Sequence, residues 1–335
     1  MMSNNLREPV KIHFVEWNSE YEKMMTSALK KDFNVVEIYR VKQHFKSVHK
    51  LLPGKTLKRW HRKLQIAIKF RHIADDDIVI SNAYSAFLML DLIAPLRCKK
   101  ILVLRDSVVA LTSKRRRLKL LSDNENYLDR VSSVFDVIYS FDPQDCLKYN
   151  LSYVDQFLPF TLSKIRAHAE EPQKICSPPS CFYVGGYDRY RAELLRELAP
   201  LLQKNHCHPD FYLVDGDENN SDYPSVCVNK KLTYQQNIEK LQKSSIVVEI
   251  NKPGQTGLTL RALEAMAFNK KLITNNVSVK THDFYHPDRI FIWGEDNVER
   301  ITDFIEVIPP GIERGLLDKY CADGMLKTLV GSALK

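Results

Sequence analysis

The chain has 335 residues, 44% hydrophobic and 27% charged, with a formal net charge of +8. This length suits two domains, and the composition is that of a globular chain with a large core. No stretch reaches the roughly 20 uninterrupted apolar residues of a membrane span. The seven cysteines are odd in number, scattered and without a Cys-x-x-Cys pair, which argues for reduced thiols and against a disulfide frame or zinc ribbon.

The opening "MMSNNLREPVKIHF" lacks the apolar centre of a signal peptide and predicts a cytoplasmic chain. Residues 10–17 read as a buried strand, followed by a helix opened by Asn18 or Ser19 as N-cap. "NVVEIYRV" is strand-like, and residues 54–73 have helical spacing. "DIVISN" is a strand, "AYSAFLMLDLIAP" helical, and "KKILVLRDS" and "VIYSFD" are strands. "PQDCLKYN" is a short helix opened by Pro143. Such a βαβα rhythm with short joints predicts a parallel sheet with helices on both faces.

Residues 163–180 are polar and proline-bearing and suit a linker between a domain of residues 1–162 and one of residues 181–310. The rhythm then restarts. Strands are predicted at "CFYVGG", "PDFYLVDGD", "IVVEIN", "KLITNN" and "RIFIWG", with amphipathic helices between and after them. The expected fold is α/β: two tandem Rossmann-like, doubly wound domains facing a cleft, with residues 311–335 returning to the first domain.

One segment stands out by charge. From Ile38 to Ala74 there is no acidic residue but eleven Lys or Arg, among them Lys58, Arg59, Lys63 and Arg62, with Trp60 and Phe70 as apolar contacts able to insert at an interface. This is either a solvated helix face or a surface for a polyanion or anionic membrane. "HCH" at 206–208 reads as a loop, because adjacent residues rarely share one metal.

Ligands of doubly wound sheets bind beyond the carboxyl ends of the strands. In "YVGGYDRYR", Gly185 and Gly186 let backbone approach a ligand, while Arg189 and Arg191 open a helix whose N–H groups favour an anion. A plain strand-to-helix turn with exposed arginines is the alternative, and the Gly-x-Gly-x-x-Gly dinucleotide fingerprint is missing. "LVDGD" is explained by turn chemistry. In "VVEINKPGQTG", Glu249 lies in a buried strand and needs partners, and Gln255, Thr256 and Thr259 offer neutral donors at the next helix start. In that helix Leu258, Ala262, Ala265 and Met266 form an apolar stripe. Arg261 and Glu264, three apart, either pair at the surface or face the cleft, with Arg261 on a phosphate and Glu264 on ribose hydroxyls.

The Gly257 turn, the "LEAMA" helix and the "LITNN" strand resemble the donor half of GT-B glycosyltransferases, and more narrowly those of bacterial surface-polysaccharide and lipopolysaccharide synthesis. The order of "YVGGYDRYR", a helix carrying Tyr234, Asn237, Leu241 and Ser244, and "QTGLTLRALEA" carries the resemblance, with "SFDPQDCLKYNL" in the first half. It implies sugar transfer from a nucleotide sugar, with no bound cofactor and no metal, to a glycan or lipid-linked acceptor. The donor would lie on Gly185, Gly186, Arg189, Arg191, Tyr234, Gln255, Thr256, Gly257, Leu258, Thr259, Arg261 and Glu264. In the familiar retaining pattern two glutamates stand eight apart; Glu264 matches the second, and Thr256 occupies the first.

The leaving nucleoside diphosphate gathers negative charge, which helix N-termini and fixed cations stabilise. An oxocarbenium-like transition state also calls for a carboxylate base. Glu16 and Asp106, at the ends of first-domain strands, are candidates for that base or else helix caps. The basic segment 40–71 would dock an anionic acceptor at the inner face of a membrane. No helix-turn-helix, zinc or RNA-binding signature supports a nucleic-acid partner. A non-catalytic nucleotide- or sugar-binding protein and a nucleotide-sugar epimerase are the rival readings.

Overall fold

The computed structural model describes residues 10–169, 178–214, 227–228, 231–252 and 255–333. The chain forms two compact units: Met1–Asp155 with Met325–Lys335, and Gln156–Gly324.

The first unit holds strands β1 (Ile12–Val15), β2 (Val35–Ile38), β3 (Ile78–Asn82), β4 (Lys99–Leu104), β5 (Val137–Ser140) and β6 (Ser152–Tyr153). Its helices are α1 (Glu20–Leu29), α2 (Val41–His49), α3 (Lys55–Lys69), α4 (Ala83–Ala86), α5 (Leu90–Ile93), α6 (Val108–Arg117), α7 (Tyr127–Val131) and α8 (Pro143–Tyr149). All strand pairs are parallel, in the order β2-β1-β3-β4-β5-β6. Every residue of β1 and β3 is buried, as expected for central strands covered on both faces. Val15, Val79, Leu102 and Leu104 pack with Leu111, Tyr127 and Leu128 in one core. At the amino ends of the strands, Asp77 accepts hydrogen bonds from the Lys11 and Ala74 N–H groups and pairs with His13 at 2.8 Å.

The second unit runs through α9 (Leu162–Ala169), β7 (Ser180–Gly186), α10 (Arg189–Lys204), β8 (His208–Val214), β9 (Cys227–Val228), α11 (Tyr234–Lys243) and β10 (Ile246–Glu249). It continues with α12 (Leu260–Ala267), β11 (Lys271–Thr274), β12 (Ile290–Ile292) and α13 (Ile301–Glu306). The last helix, α14 (Ala322–Ala333), begins in this unit, and its residues from Met325 belong to the first. The sheet is again parallel, in the order β12-β11-β10-β7-β8-β9. This is the Rossmann order, with its topological switch between β7 and β10. Cys181, Tyr183, Val248 and Ile273 pack with Leu195, Leu198 and Phe304 in its core.

Two tandem Rossmann-like α/β units were the expectation, and the strands legible in the sequence are in place. Helices α2, α6 and α7 and the short strands β6 and β9 carried no reading, and the stretch read as a linker opens with α9. "HCH" follows α10: His206 takes a left-handed backbone at φ 56°, and the buried Cys207 donates its N–H to the Leu202 carbonyl, closing the helix. Among the described residues no helix is long and apolar enough to cross a membrane.

Candidate functional site

The second unit's switch point carries a pocket of about 300 Å³, walled by Val184, Gly185, Gly186, Lys231, Asn237 and Arg261 among others. Its location follows from the chain order: beyond the carboxyl ends of β7 and β10 the connecting segments leave in opposite directions and open a crevice. Gly185 and Gly186 present bare backbone to that crevice. A Cβ on Gly186 would meet nothing within 4 Å, whereas one on Gly185 would run into the Tyr183 side chain.

Arg261, in the first turn of α12, is the pocket's organised cation. Its guanidinium lies 2.5 Å from the Glu264 carboxylate and 5.8 Å from the Phe182 ring centroid. Glu264 is fully buried, whereas the Arg261 side chain is 18% exposed. The pair is therefore built into the pocket wall and is not a surface ion pair. Lys231, exposed beside it, adds a second positive charge. Its sequence signal was the basic "NKK" just before α11. Asn237 also lines the pocket, and its buried Oδ1 has no hydrogen-bond partner among the described residues.

The start of α12 is fixed from below by a buried carboxylate. Glu249 ends β10 in register with Thr274 of β11. It accepts the Thr259 N–H at 3.1 Å, the Thr259 hydroxyl at 2.5 Å and the Thr274 hydroxyl at 2.7 Å. Burial pushes its carboxyl above the usual range, against the pull of the threonine donors and Arg261. The Thr259 oxygen in turn accepts the Arg261 N–H at 3.2 Å, as the N-cap of α12. Thr259 thus serves Glu249 and the helix, a correction to its reading as a free donor for an anion.

The segment before α12 is tethered by its carbonyls. Asn251 donates to the Gln255 and Gly257 carbonyls at 3.4 and 3.3 Å, while Ser278 and Asn276 donate to Thr256 at 2.5 and 3.4 Å. Gln255 and Thr256 are half-buried, and Gly257 and Leu258 are buried. The pocket wall itself takes in neither these four residues nor Tyr234, whose ring is buried 6.3 Å from that of Phe160.

The two arginines after the glycine pair differ from one another, and Arg189 has the exposure of the plain-turn alternative. Arg189 is 83% exposed and paired with Glu193 across one helical turn. Arg191 reaches back to the Gly186 and Ile250 carbonyls at 3.3 and 3.4 Å, tying together the ends of β7 and β10. Neither lines the pocket. Asp215 to Asp217 of "LVDGD", with Pro253 and Gly254, lie outside the described residues.

In the first unit Glu16 is buried at the end of β1, with a left-handed φ of 59°. Its carboxylate accepts the Val41 and Lys42 N–H groups at 2.5 and 3.2 Å and the Asn18 amide at 2.5 Å. It is the cap of α2, the second of its two sequence readings. Asp106 is half-buried just beyond β4. Lys58 and Arg62 of α3 are half-buried, Arg62 with Asp91 at 3.0 Å, and Arg59 and Lys63 are exposed.

No protein-family model matches the chain, and no curated protein matches its sequence. Solved structures do match. HepE from Anabaena, solved with UDP and glucose, is 10% identical, with a TM-score of 0.62 over 97% of this chain and 100% of that one. An α,α-trehalose-phosphate synthase (UDP-forming) from Burkholderia xenovorans, solved with glucose-6-phosphate, is 9% identical, with a TM-score of 0.60 over 97% and 100%. An α-glucosyltransferase bound to UDP-glucose and abasic DNA is 12% identical, with a TM-score of 0.56 over 98% and 99%. At these identities the likeness is one of fold: the chain has the tandem Rossmann-like α/β domains of the GT-B class.

Proposed function

We propose that the protein is a glycosyltransferase that takes a sugar from a nucleotide-sugar donor held in the pocket of the second unit. The observation that carries this reading is the glycine-walled crevice at the β7/β10 switch point, with a guanidinium fixed at its edge by a buried carboxylate. Small-residue backbone on one side and two cations on the other suit a diphosphate flanked by a sugar and a nucleoside. Arg261 and Lys231 neutralise the charge that collects on the nucleoside diphosphate as it leaves. Because Arg261 is already oriented by Glu264, little of that stabilisation is lost to reorganisation. Glu264, matched by resemblance to a ribose ligand, is assigned the orientation of Arg261. The Asn237 Oδ1, without a partner among the described residues, offers an acceptor for a ribose or sugar hydroxyl.

The acceptor is a glycan or glycolipid of surface-polysaccharide or lipopolysaccharide type, reached at the cytoplasmic face of a membrane by the basic segment 40–71. Asp106 is the carboxylate assigned to deprotonate it, since Glu16 is engaged as a helix cap.

A thermal-shift screen against UDP, GDP, ADP and CMP and their sugars tests the donor site. A nucleotide at 100 times its dissociation constant adds about 2.7 kcal/mol of stability. No response to any of them would remove the donor-site reading. Binding without transfer or hydrolysis of the donor, across a panel of glycan and glycolipid acceptors, would leave a non-catalytic binding protein. Conversion of the free donor to its epimer would identify an epimerase.

A further inference from the structure

Helix α3 has two unlike faces. His61 is its one buried residue and packs toward α2, stacked 5.6 Å from Phe45 and 3.2 Å from His49 between ring nitrogens. Leu57, Trp60, Leu64 and Ile68 are all exposed, Trp60 to 61%. Their spacing places them within an arc of about 80° of the helix circumference. Four large apolar side chains in one solvent-facing line are not a scatter of single exposed residues, which would need no explanation. The charges around them are also one-sided. Arg59 and Lys63 are exposed on the flank beside Trp60, and Lys55 is exposed at the helix start. No acidic residue occurs between Ile38 and Ala74.

We infer that α3 lies in the plane of an anionic lipid bilayer, with Leu57, Trp60, Leu64 and Ile68 inserted among the acyl chains and Lys63 and Arg59 at the headgroups. A long amphipathic helix with Trp and Leu on one face and Lys and Arg on the other is the form that interfacial binding takes. Charge selects this occupant over a second copy of the chain, which would bring an identical basic rim against the first. The inference deepens the membrane part of the proposed function: it replaces electrostatic docking by insertion and does not depend on the donor chemistry.

The test is flotation with vesicles of phosphatidylcholine, with and without phosphatidylglycerol, read together with tryptophan fluorescence. Trp17 is fully buried and Trp293 packs against the core of the second unit, so Trp60 is the exposed reporter. Insertion predicts binding to the anionic vesicles, a blue shift of Trp60 and its quenching by brominated acyl chains. Trp60→Ala and Leu64→Ala are each expected to weaken partitioning roughly tenfold, with unchanged melting temperature. Arg59→Glu with Lys63→Glu should abolish the preference for phosphatidylglycerol.

Salt-sensitive binding that ignores Leu64→Ala and leaves Trp60 unquenched would overturn insertion while leaving electrostatic docking in place. No binding to either vesicle would overturn both. A chain that stays off vesicles but changes from dimer to monomer on Leu64→Glu would assign the stripe to self-association and end the inference. Nucleotide affinity, measured in the same variants, should not move; it reports separately on the donor reading.

Discussion

The two units place opposite contents at equivalent points of their sheets. At the first switch point, between β1 and β3, the Glu16 carbonyl accepts the Asn82 amide at 2.7 Å, and the Glu16 carboxylate caps α2. At the second, between β7 and β10, the corresponding strand ends in Gly185 and Gly186 and a pocket of about 300 Å³ remains. In both units a carboxylate at a strand end holds the N-terminus of a helix: Glu16 for α2 and Glu249 for α12. What differs is whether the strand adjoining the crevice ends in side chains or in bare backbone. The same topology therefore yields one switch point bridged by the Asn82 amide on the Glu16 carbonyl and one whose adjoining strand ends in bare backbone beside a pocket.

The sharpest break would come from Arg261. Arg261→Ala removes the cation from a fully buried carboxylate, and a loss of about 3–5 kcal/mol is expected, together with loss of nucleotide affinity. The double variant Arg261→Met with Glu264→Gln should regain much of the stability but none of the affinity. Chemical denaturation and nucleotide titration of the two variants would show it, and equal affinities in wild type and double variant would detach Arg261 from the pocket's function.

Next in size is Glu16→Ala, which strands the first-turn N–H groups of α2 and should cost about 1–3 kcal/mol. Nucleotide binding should be unchanged, because the cap belongs to the first unit and not to the pocket of the second. A fall in affinity of the folded variant would mean the two units are not separable in this way.

Gly186→Leu inverts the contrast by filling the open crevice. Its Cβ has free space, so the melting temperature should hold while nucleotide affinity falls about tenfold or more. Calorimetry of the variant against the nucleotide selected by the thermal-shift screen decides this.

The smallest effect concerns pH. The Glu249 carboxyl is held above its ordinary 4.5 by burial, so the folded state binds its proton more tightly than the unfolded state. This contribution to stability is complete below that ordinary value and is lost as pH rises through the folded value. Glu249→Gln should therefore gain on wild type as pH rises from acid to neutral. Asp77 is the opposite case. Burial raises its carboxyl, but the Ala74 and Lys11 N–H groups and His13 together hold it lower, so its stabilisation is present at neutral pH and lost in acid. Melting curves of Glu249→Gln and Asp77→Asn against pH should diverge in sign.

The elements that could be read in the sequence are those with local signals. Helix α8 announces itself through Asp142 and Pro143, and α1 through the Ser19 and Glu22 capping box. Helix α2 does not, and α6 offers only the Ser107 cap, whose hydroxyl accepts the Ala110 N–H at 3.3 Å. Helix α2 starts from Arg40, which supplies no side-chain cap, and its N–H groups are taken by Glu16 from far upstream. The first N–H of α6 is held by Asp145, which lies 37 residues away. Signals of that kind exist only after folding. The candidate site divides along the same line. Its glycines and Arg261 were visible as a turn and a charge within an apolar helix. The diversion of Thr259 to Glu249, the turning back of Arg191 and the entry of Lys231 depend on neighbours from other elements.

Arg191 carries one more consequence. The paired register of β7 and β10 runs over two positions only, Cys181 with Ile246 and Phe182 with Val247. Beyond them no register joins the two strands, and the carbonyls of Gly186 and Ile250 both accept from Arg191 instead. One guanidinium spans that fork. It works as a spacer, setting the width of the mouth by its own rigid dimensions, where a flexible lysine would let the two lips drift.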